Sequence, residues 1–281
     1  MKNFLVVTNR SKDPNEVIAN RIKEYTENFG DAYHVFLAEV EKKQDKYKFT
    51  NPDSVSDEID CVITIGGDGT LLQTVRDLMD IDKPFIGVNR GTLGYLSEVY
   101  PEDIEVMMKK LINDEYVIEN RMMIEGSFNG KSSVALNDIV IRRNDGMVRI
   151  SLNVNDRHLT SYYADGVIVS TPTGSTAYNL SAGGPIVEPG AEIIIITPMY
   201  PHTINTRPIV LSENDVISVE IADIRGNGLC CSLSFDGDMR CELKKNDKIY
   251  IKKSNRTTKI LKLSDSSFIE VLKEKMGDNI I

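Results

Sequence analysis

The 281-residue chain has no apolar stretch that approaches the ~20 residues needed to span a bilayer as a helix. Its longest candidate, Glu192 to Tyr200, is broken by Pro198. The opening MKNFLVVTNR has an apolar run too short for a signal peptide, and no small-residue cleavage site follows. The four cysteines (Cys61, Cys230, Cys231, Cys241) include no C-x-x-C pair, and the three histidines (His34, His158, His202) are scattered. That argues against a zinc site, and the expectation is of reduced thiols in a cytoplasmic protein. Lysine and arginine total 33 against 42 aspartates and glutamates, a formal charge of −9, with no basic block large enough to cover a face. No nucleic-acid partner and no membrane are therefore expected. The pairs Lys244-Lys245 and Lys252-Lys253 fit solvated strand ends. Repeats and low-complexity tracts are absent too.

Two familiar phosphate-binding fingerprints are also missing. There is no G-x-x-x-x-G-K-[ST] run with its lysine. Nor is there a G-x-G-x-x-G, because Gly67 and Gly69 are followed by Leu72 where the third glycine would stand.

What is present falls into two halves. Up to about residue 115 strands and helices alternate. Phe4–Thr8, Val35–Leu37, Cys61–Ile65 and Pro84–Val88 read as strands. Helical spacing marks Glu16 to Phe29, which Gly30 would cap, Leu71 to Met79, and Met107 to Leu111. Such alternation predicts parallel strands joined by helical crossovers. From about 116 to 265 period-2 strands dominate, at 117–121, 123–128, 139–142, 148–154, 167–170, 193–196, 216–221, 229–235, 248–252 and 259–263. Turn signals at 129–130, 144–146 and 226–228 separate them, which predicts an antiparallel β domain. Helical spacing returns in Ser267 to Met276, and the segment 266–281 is expected to pack back on the first domain, 1–115.

The sequence IGGDGT, residues 65–70, follows a strand and opens an amphipathic helix. Gly66, Gly67 and Gly69 let the backbone approach a ligand, and the free N–H groups at the helix start, up to Thr70, suit a phosphate. Asp68 among them would repel that phosphate. It could be a plain helix cap. It could instead help to hold Mg²⁺, or take a proton from a hydroxyl that attacks a phosphoryl group. The last two roles describe a kinase.

A second constellation runs through YYADGVIVSTPTGSTAYNLSAGGP, residues 162–185. Its small hydroxylated residues around Gly174 offer donors with little bulk, suiting ribose or phosphate, and Tyr178 offers a flat face for a ring. A Ser/Thr-rich hairpin is the plainer alternative. Asn137 can read an adenine edge and Asp138 can hold ribose hydroxyls, although an Asn-Asp turn would look the same. The stretch PHTINTRP, 201–208, reads as a rigid loop.

In these segments together the chain resembles the NAD kinase family in its bacterial form. The match rests on GGDGT at 66–70, GVNRGTLGYL at 87–96, ND at 137–138, ADGVIVSTPTGSTAY at 164–178, AGGP at 182–185, PHTINTRP at 201–208 and DG at 236–237. The glycine motif is shared with lipid kinases and phosphofructokinases; the stretch 164–178 is more specific. The resemblance implies an α/β N-terminal domain with a Rossmann-like parallel sheet, plus a mainly antiparallel β-sandwich C-terminal domain. It implies ATP with Mg²⁺ as phosphoryl donor, and NAD as the acceptor through the 2′-hydroxyl of its adenosine ribose. A homodimer or homotetramer is implied as well, with NAD contacted from a neighbouring subunit.

Residue by residue, the resemblance makes Asp68 the proton acceptor and Gly69 part of the phosphate loop. Tyr95 would line the adenine pocket, where many relatives have phenylalanine. Asn137 would face adenine and Asp138 the ribose, where many relatives have glutamate. Asp165 would meet the nicotinamide end and Arg149 a phosphate. Thr176, Ala177, Tyr178 and Ser181 would form the dinucleotide pocket, and Tyr163 stands where some relatives carry a basic residue. Two rivals share the glycine loop or the fold: a lipid kinase, and a regulator that binds NAD(H) without turning it over.

Overall fold

The computed structural model describes residues 1–38, 42–43, 46–47, 50–90, 94–143, 145–203, 205–226, 230–263 and 268–277. The chain forms two compact units, residues 1–120 with 258–281, and residues 121–257.

The first unit is an α/β layer structure. Strands β1 (Asn3–Thr8), β2 (His34–Leu37), β5 (Cys61–Gly66) and β6 (Phe85–Asn89) lie parallel in the order β2-β1-β5-β6. A two-residue pair, β3 (Lys42–Lys43) with β4 (Lys46–Tyr47), stands apart. Every residue of β5 and β6 is buried, as expected of strands covered on both faces, which show continuous rather than alternating apolarity. Helices α1 (Val17–Glu27) and α3 (Ile104–Ile112) share one core with Phe4, Val6, Ile63, Ile65, Ile86 and Val88. Helix α2 (Asp68–Asp77) starts directly after β5 and buries Leu71, Leu72 and Val75. Gly30 closes α1 at φ +124°, its N–H donating to the Glu27 carbonyl.

The second unit is a sandwich of two antiparallel sheets. One is ordered β11-β10-β15, with the first half of β18: Arg157–Ala164, Met147–Val154, Ile217–Arg225 and Lys248–Lys262. The other is ordered β14-β13-β12-β9-β16-β17: Ile209–Ser212, Ile193–Met199, Gly166–Ser170, Asp138–Arg142, Cys230–Phe235 and Asp238–Lys244. Val148, Ile150 and Leu152 of the first sheet share one core with Ile139, Ile141, Val167, Val169 and Leu233 of the second. Strand β7 (Val117–Phe128) turns at Asn129-Gly130 into β8 (Lys131–Ala135), and both turn residues have positive φ. That is the backbone a two-residue hairpin requires, and the reason Asn-Gly marks one in sequence.

Two expectations change, and one alternative drops out. Residues 117–121 and 123–128 are one strand, and so are 248–252 and 259–263. Alternation vanishes at Arg121–Ile124 because four successive residues are buried there. The stretch after β12 is no hairpin: it is a tight turn at Thr173–Thr176 followed by the one-turn helix α4 (Tyr178–Ser181). Parts of the 144–146 and 226–228 turn signals lie outside the described residues.

Candidate active site

In the first unit the glycine loop sits at the carboxyl edge of the parallel sheet. Gly66 pairs with Asn89 across β5 and β6, and Asn9, just past β1, donates its N–H to the Ile65 carbonyl. Open α/β sheets bind their ligands at this edge. Gly67 is the residue before α2, and Asp68 is the first residue of the helix. The plain capping role fails on geometry. The Asp68 carboxylate leaves its own helix and accepts three backbone N–H groups, from Tyr95 at 2.7 Å, Leu96 at 3.3 Å and Ser97 at 2.9 Å. The carboxylate also presses on Gly94, where a Cβ would collide with Asp68 Oδ1. Asp68 therefore fixes the segment that carries Tyr95.

The glycines of the loop differ in why they are glycines. A side chain at Gly66 would collide with Thr70. At Gly67 and Gly69 an added Cβ meets nothing within 4 Å, and neither residue has positive φ. Neither crowding nor backbone strain inside the chain calls for glycine at those two positions. They leave an open cradle over the start of α2. The N–H groups of Thr70 and Leu71 already donate to the Gly67 carbonyl, so the N–H groups left for an anion are those ahead of Thr70.

Two lysines come to this loop from the end of the chain. Lys262, the last residue of β18, is an ion pair with Glu98, and both side chains are largely buried. Burial pushes its pKa down to about 8, and Asp68 opposes that shift by favouring the charged form. Lys275, on α5 (Phe268–Gly277), holds its ammonium 3.5 Å from the centre of the Tyr95 ring. Burial lowers its pKa as well, with Asp68 again favouring the cation.

In the second unit the structure brings Asn137 and Asp138 against the turn after β12. Asp138 pairs with Ser170. Thr171 donates its N–H to the Asn137 carbonyl at 2.9 Å and its hydroxyl to the Leu136 carbonyl at 2.6 Å. Gly174 lies so close to Asn137 that any Cβ would overlap its carbonyl oxygen. The turn is braced from behind by buried Asn179. Its amide donates to the carbonyls of Ser175 and Pro185, and its oxygen accepts from Thr197. Within this cluster two buried oxygens, Asn137 Oδ1 and Thr173 Oγ1, have no hydrogen-bond partner among the described residues. Buried polar groups are nearly always paired, so two such atoms together mark a place where a ligand fits.

The Asp138 carboxyl is buried, and its pKa is pushed up to about 7, first by desolvation and then by the charge of Asp236. Asp236 itself accepts the N–H groups of Leu136 (2.9 Å), Asn137 (2.7 Å) and Asp138 (3.1 Å), so it sets the backbone that presents both residues.

The other expected residues distribute as follows. Tyr178 packs on Val140, Ile168 and Met199, and its hydroxyl accepts from Arg142 at 3.2 Å. Thr176 and Ala177 are half-buried on the same turn, and Ser181 is exposed at the end of α4. Asp165 is half-buried at the corner between β11 and β12, its carbonyl accepting from Arg143. Arg149 is not with the Asn137 cluster. It is exposed on β10, paired across the sheet with Tyr163 and Asp223. There the Tyr163 ring lies under Arg225 at 4.0 Å and near Arg149 at 5.9 Å.

Residues 6–116 match the family described as ATP-NAD kinase N-terminal domain, and residues 136–263 match ATP-NAD kinase C-terminal domain. The chain belongs to the NAD kinase family. The NAD kinase of Lachnospira eligens is 42% identical, over 98% of this chain and 100% of its own length. That of Agathobacter rectalis is 41% identical, over 99% of each. Among solved structures, the NAD kinase from Archaeoglobus fulgidus in complex with ATP has 26% identity and a TM-score of 0.75, covering 94% of both chains. Yeast NADH kinase complexed with NADH, at 23% identity, shares the fold with a TM-score of 0.85, over 100% of this chain and 89% of its own.

Sequence reasoning missed Asp236, Asn179, Lys262 and Lys275 as parts of these clusters. The DG at 236–237 carried a usable signal, being a tight-turn dipeptide inside the family pattern. The lysines carried none, because a single lysine at a strand end has the look of a solvated charge.

Proposed function

We propose that the protein is an ATP-dependent NAD kinase that transfers the γ-phosphoryl group of ATP to the 2′-hydroxyl of the adenosine ribose of NAD. The 2′-oxygen forms a bond to the γ-phosphorus, the bond from that phosphorus to the β–γ bridging oxygen breaks, and ADP and NADP leave. Family membership over the whole chain supports the reaction class. The observation that carries the site is the open cradle of Gly67 and Gly69 beside Asp68. No internal steric demand accounts for those glycines, whereas a phosphate lying on the loop does.

Asp68 takes the proton from the 2′-hydroxyl. Its three N–H donors hold the carboxylate in one orientation and leave one lone pair, on Oδ2, for that proton. The cradle and the N-terminus of α2 take the ATP phosphates. Asn137 reads adenine, using the Oδ1 that has no partner among the described residues, and Asp138 holds the ribose hydroxyls. Thr176, Ala177, Tyr178 and Ser181 line the dinucleotide pocket, and Tyr95 faces adenine. Magnesium arrives as the ATP complex. Among the described residues no three metal-ligating side chains gather, and magnesium bound mainly by phosphates and water needs no such cage.

The protein is read as a cytoplasmic homodimer or homotetramer. In that assembly Asp165 and Arg149, which stand away from the Asn137 cluster, meet the nicotinamide end and a phosphate of NAD held by a neighbour. Among the described residues no helix is long and apolar enough to cross a membrane.

Incubation with NAD, ATP and Mg²⁺, followed by a NADP-specific dehydrogenase, tests the function. NADP formation is the expected result. NAD binding without turnover points to a regulator on the same fold, and phosphorylation of a lipid in place of NAD points to a lipid kinase.

A further inference from the structure

The glycine loop lacks the lysine that other phosphate loops carry in sequence, and Asp68 adds negative charge where a triphosphate must settle. A cation standing beside Asp68 would balance that charge. We propose that Lys262 is that cation: a catalytic residue whose ammonium donates to the γ-phosphoryl oxygens of ATP lying over the Gly67–Gly69 cradle. The assignment rests on the reading of the protein as a NAD kinase.

Several observations lead to Lys262. It ends β18 in the first unit, with its side chain largely buried and ion-paired to Glu98. Among the described residues Glu98 is its ion-pair partner, and one carboxylate oxygen occupies one of an ammonium's three donors. Glu98 follows directly on Ser97, whose N–H is held by the Asp68 carboxylate. One short segment, 95–98, thus links the lysine to the aspartate and keeps both in place. Asp68 is close enough to stabilise the charged form of Lys262.

Neighbouring lysines are engaged elsewhere. Lys259 pairs with Asp82, Lys110 donates to the Leu263 carbonyl at 2.6 Å, and Lys275 covers the Tyr95 ring. A buried ion pair is weak evidence of a stabilising role, since desolvation offsets most of the attraction. What the burial does provide is a fixed charge paired to the segment that Asp68 holds. In the transfer step Lys262 moves no proton. The 2′-hydroxyl proton goes to Asp68, and Lys262 stays protonated, balancing the charge that gathers on the transferring phosphoryl group.

Among the described residues the charged and titratable groups of this region include Glu98, which follows β6, Asp68 on α2, Asp103 and Lys110 in the cleft shared with Glu98 and Leu261, Tyr100, and Lys275 with its neighbour Glu274 on α5, around the Tyr95 ring. Of these Lys110 and Lys275 are further ammonium groups; the first donates to the Leu263 carbonyl and the second lies over the Tyr95 ring.

The test is steady-state kinetics with ATP varied at saturating NAD, for the full chain and two variants. Lys262→Met should lower kcat/KM for ATP by about 100-fold or more, the scale for one donor to a developing charge, with KM for NAD changed less than about threefold. Lys262→Arg should retain activity within about tenfold. It should also lose the alkaline limb that the proposal expects of the wild type above about pH 8, where Lys262 deprotonates, since arginine stays charged. A Met variant with wild-type ATP kinetics overturns the proposal. Should the Met variant not fold, the Arg profile decides: a shifted limb supports the role, and an unchanged limb overturns it. A wild-type chain that makes no NADP takes down the functional reading and this proposal together, whereas an active wild type with an unaffected Met variant takes down this proposal alone.

Discussion

Asp68 answers the question its motif poses. A carboxylate can sit in a phosphate loop when backbone N–H groups claim most of its lone pairs and cations stand beside it. Sequence alone suggests that Asp68→Asn, nearly the same shape, would leave melting unchanged. The three N–H donors say otherwise, because an amide turns an NH₂ toward a backbone donor. Asp68→Asn is expected to lose about 1–3 kcal/mol of stability and at least about 100-fold in kcat, read by denaturant melts and NADP formation. A variant that melts lower but keeps its kcat would reduce Asp68 to a brace for residues 95–97.

Asp138 makes a separate prediction about pH. Its folded-state pKa, about 7, lies above the 3.8 of an ordinary aspartate. Between roughly pH 4 and 7 the folded chain therefore keeps a proton that the unfolded chain has released. Stability falls as pH rises through that window, by up to about 1.4 kcal/mol per pH unit from this group. Asp138→Asn, which has no proton to lose, should show a flatter stability profile there and gain on the wild type above pH 7. Equal slopes in urea melts at pH 5 and 7 would contradict the assignment. The residue itself was legible in sequence, as half of an Asn-Asp pair at a strand start. Its burial and its Asp236 neighbour were not, since a contact between residues 138 and 236 leaves no local periodicity.

Among the elements, α2 was the most legible. Strand, glycines and an amphipathic run read directly as a phosphate loop, and the alternation Cys61–Val88 gave the parallel strands. Less legible were elements whose pattern is set from outside. Strand β7 loses its alternation where both faces are covered, and β18 contains the exposed run 255–257 between its buried stretches. Strand β11 is exposed over its first half and shows little alternation, and the edge strand β14 is only four residues long, whereas the edge strand β17, DMRCELK, alternates legibly. The helix start also separates function from stability. Gly69 is the second residue of α2 and has open space above it. Gly69→Ala is expected to hold or raise stability, by at most about 1 kcal/mol. The same methyl group intrudes on the cradle and should raise KM for ATP about tenfold or more. An alanine variant with unchanged ATP kinetics would mean that no phosphate lies over residue 69.

At the scale of the whole molecule, the chain leaves its first unit near residue 120 and returns at 258. The return delivers Lys262 and Lys275 to the Asp68 loop. No local reading of sequence finds a site built from residues 68, 95–98 and 262. The resemblance to a family gave the architecture of both units, while the side chains that brace each cluster became visible only in three dimensions. In the proposed assembly, exposed Arg149 and half-buried Asp165, away from the Asn137 cluster, would serve a neighbouring subunit. Light scattering is expected to give a dimer or tetramer; a fully active monomer would leave both residues without a role.

The central claim is that phosphorus moves from ATP to the 2′-oxygen of NAD. Phosphorus NMR of a reaction containing NAD, Mg²⁺ and ATP with ¹⁸O in its γ-phosphoryl group follows that transfer directly. The account predicts one labelled phosphate ester at the 2′-position for each ADP formed. Labelled inorganic phosphate with unchanged NAD, or an ester at another position, would contradict it.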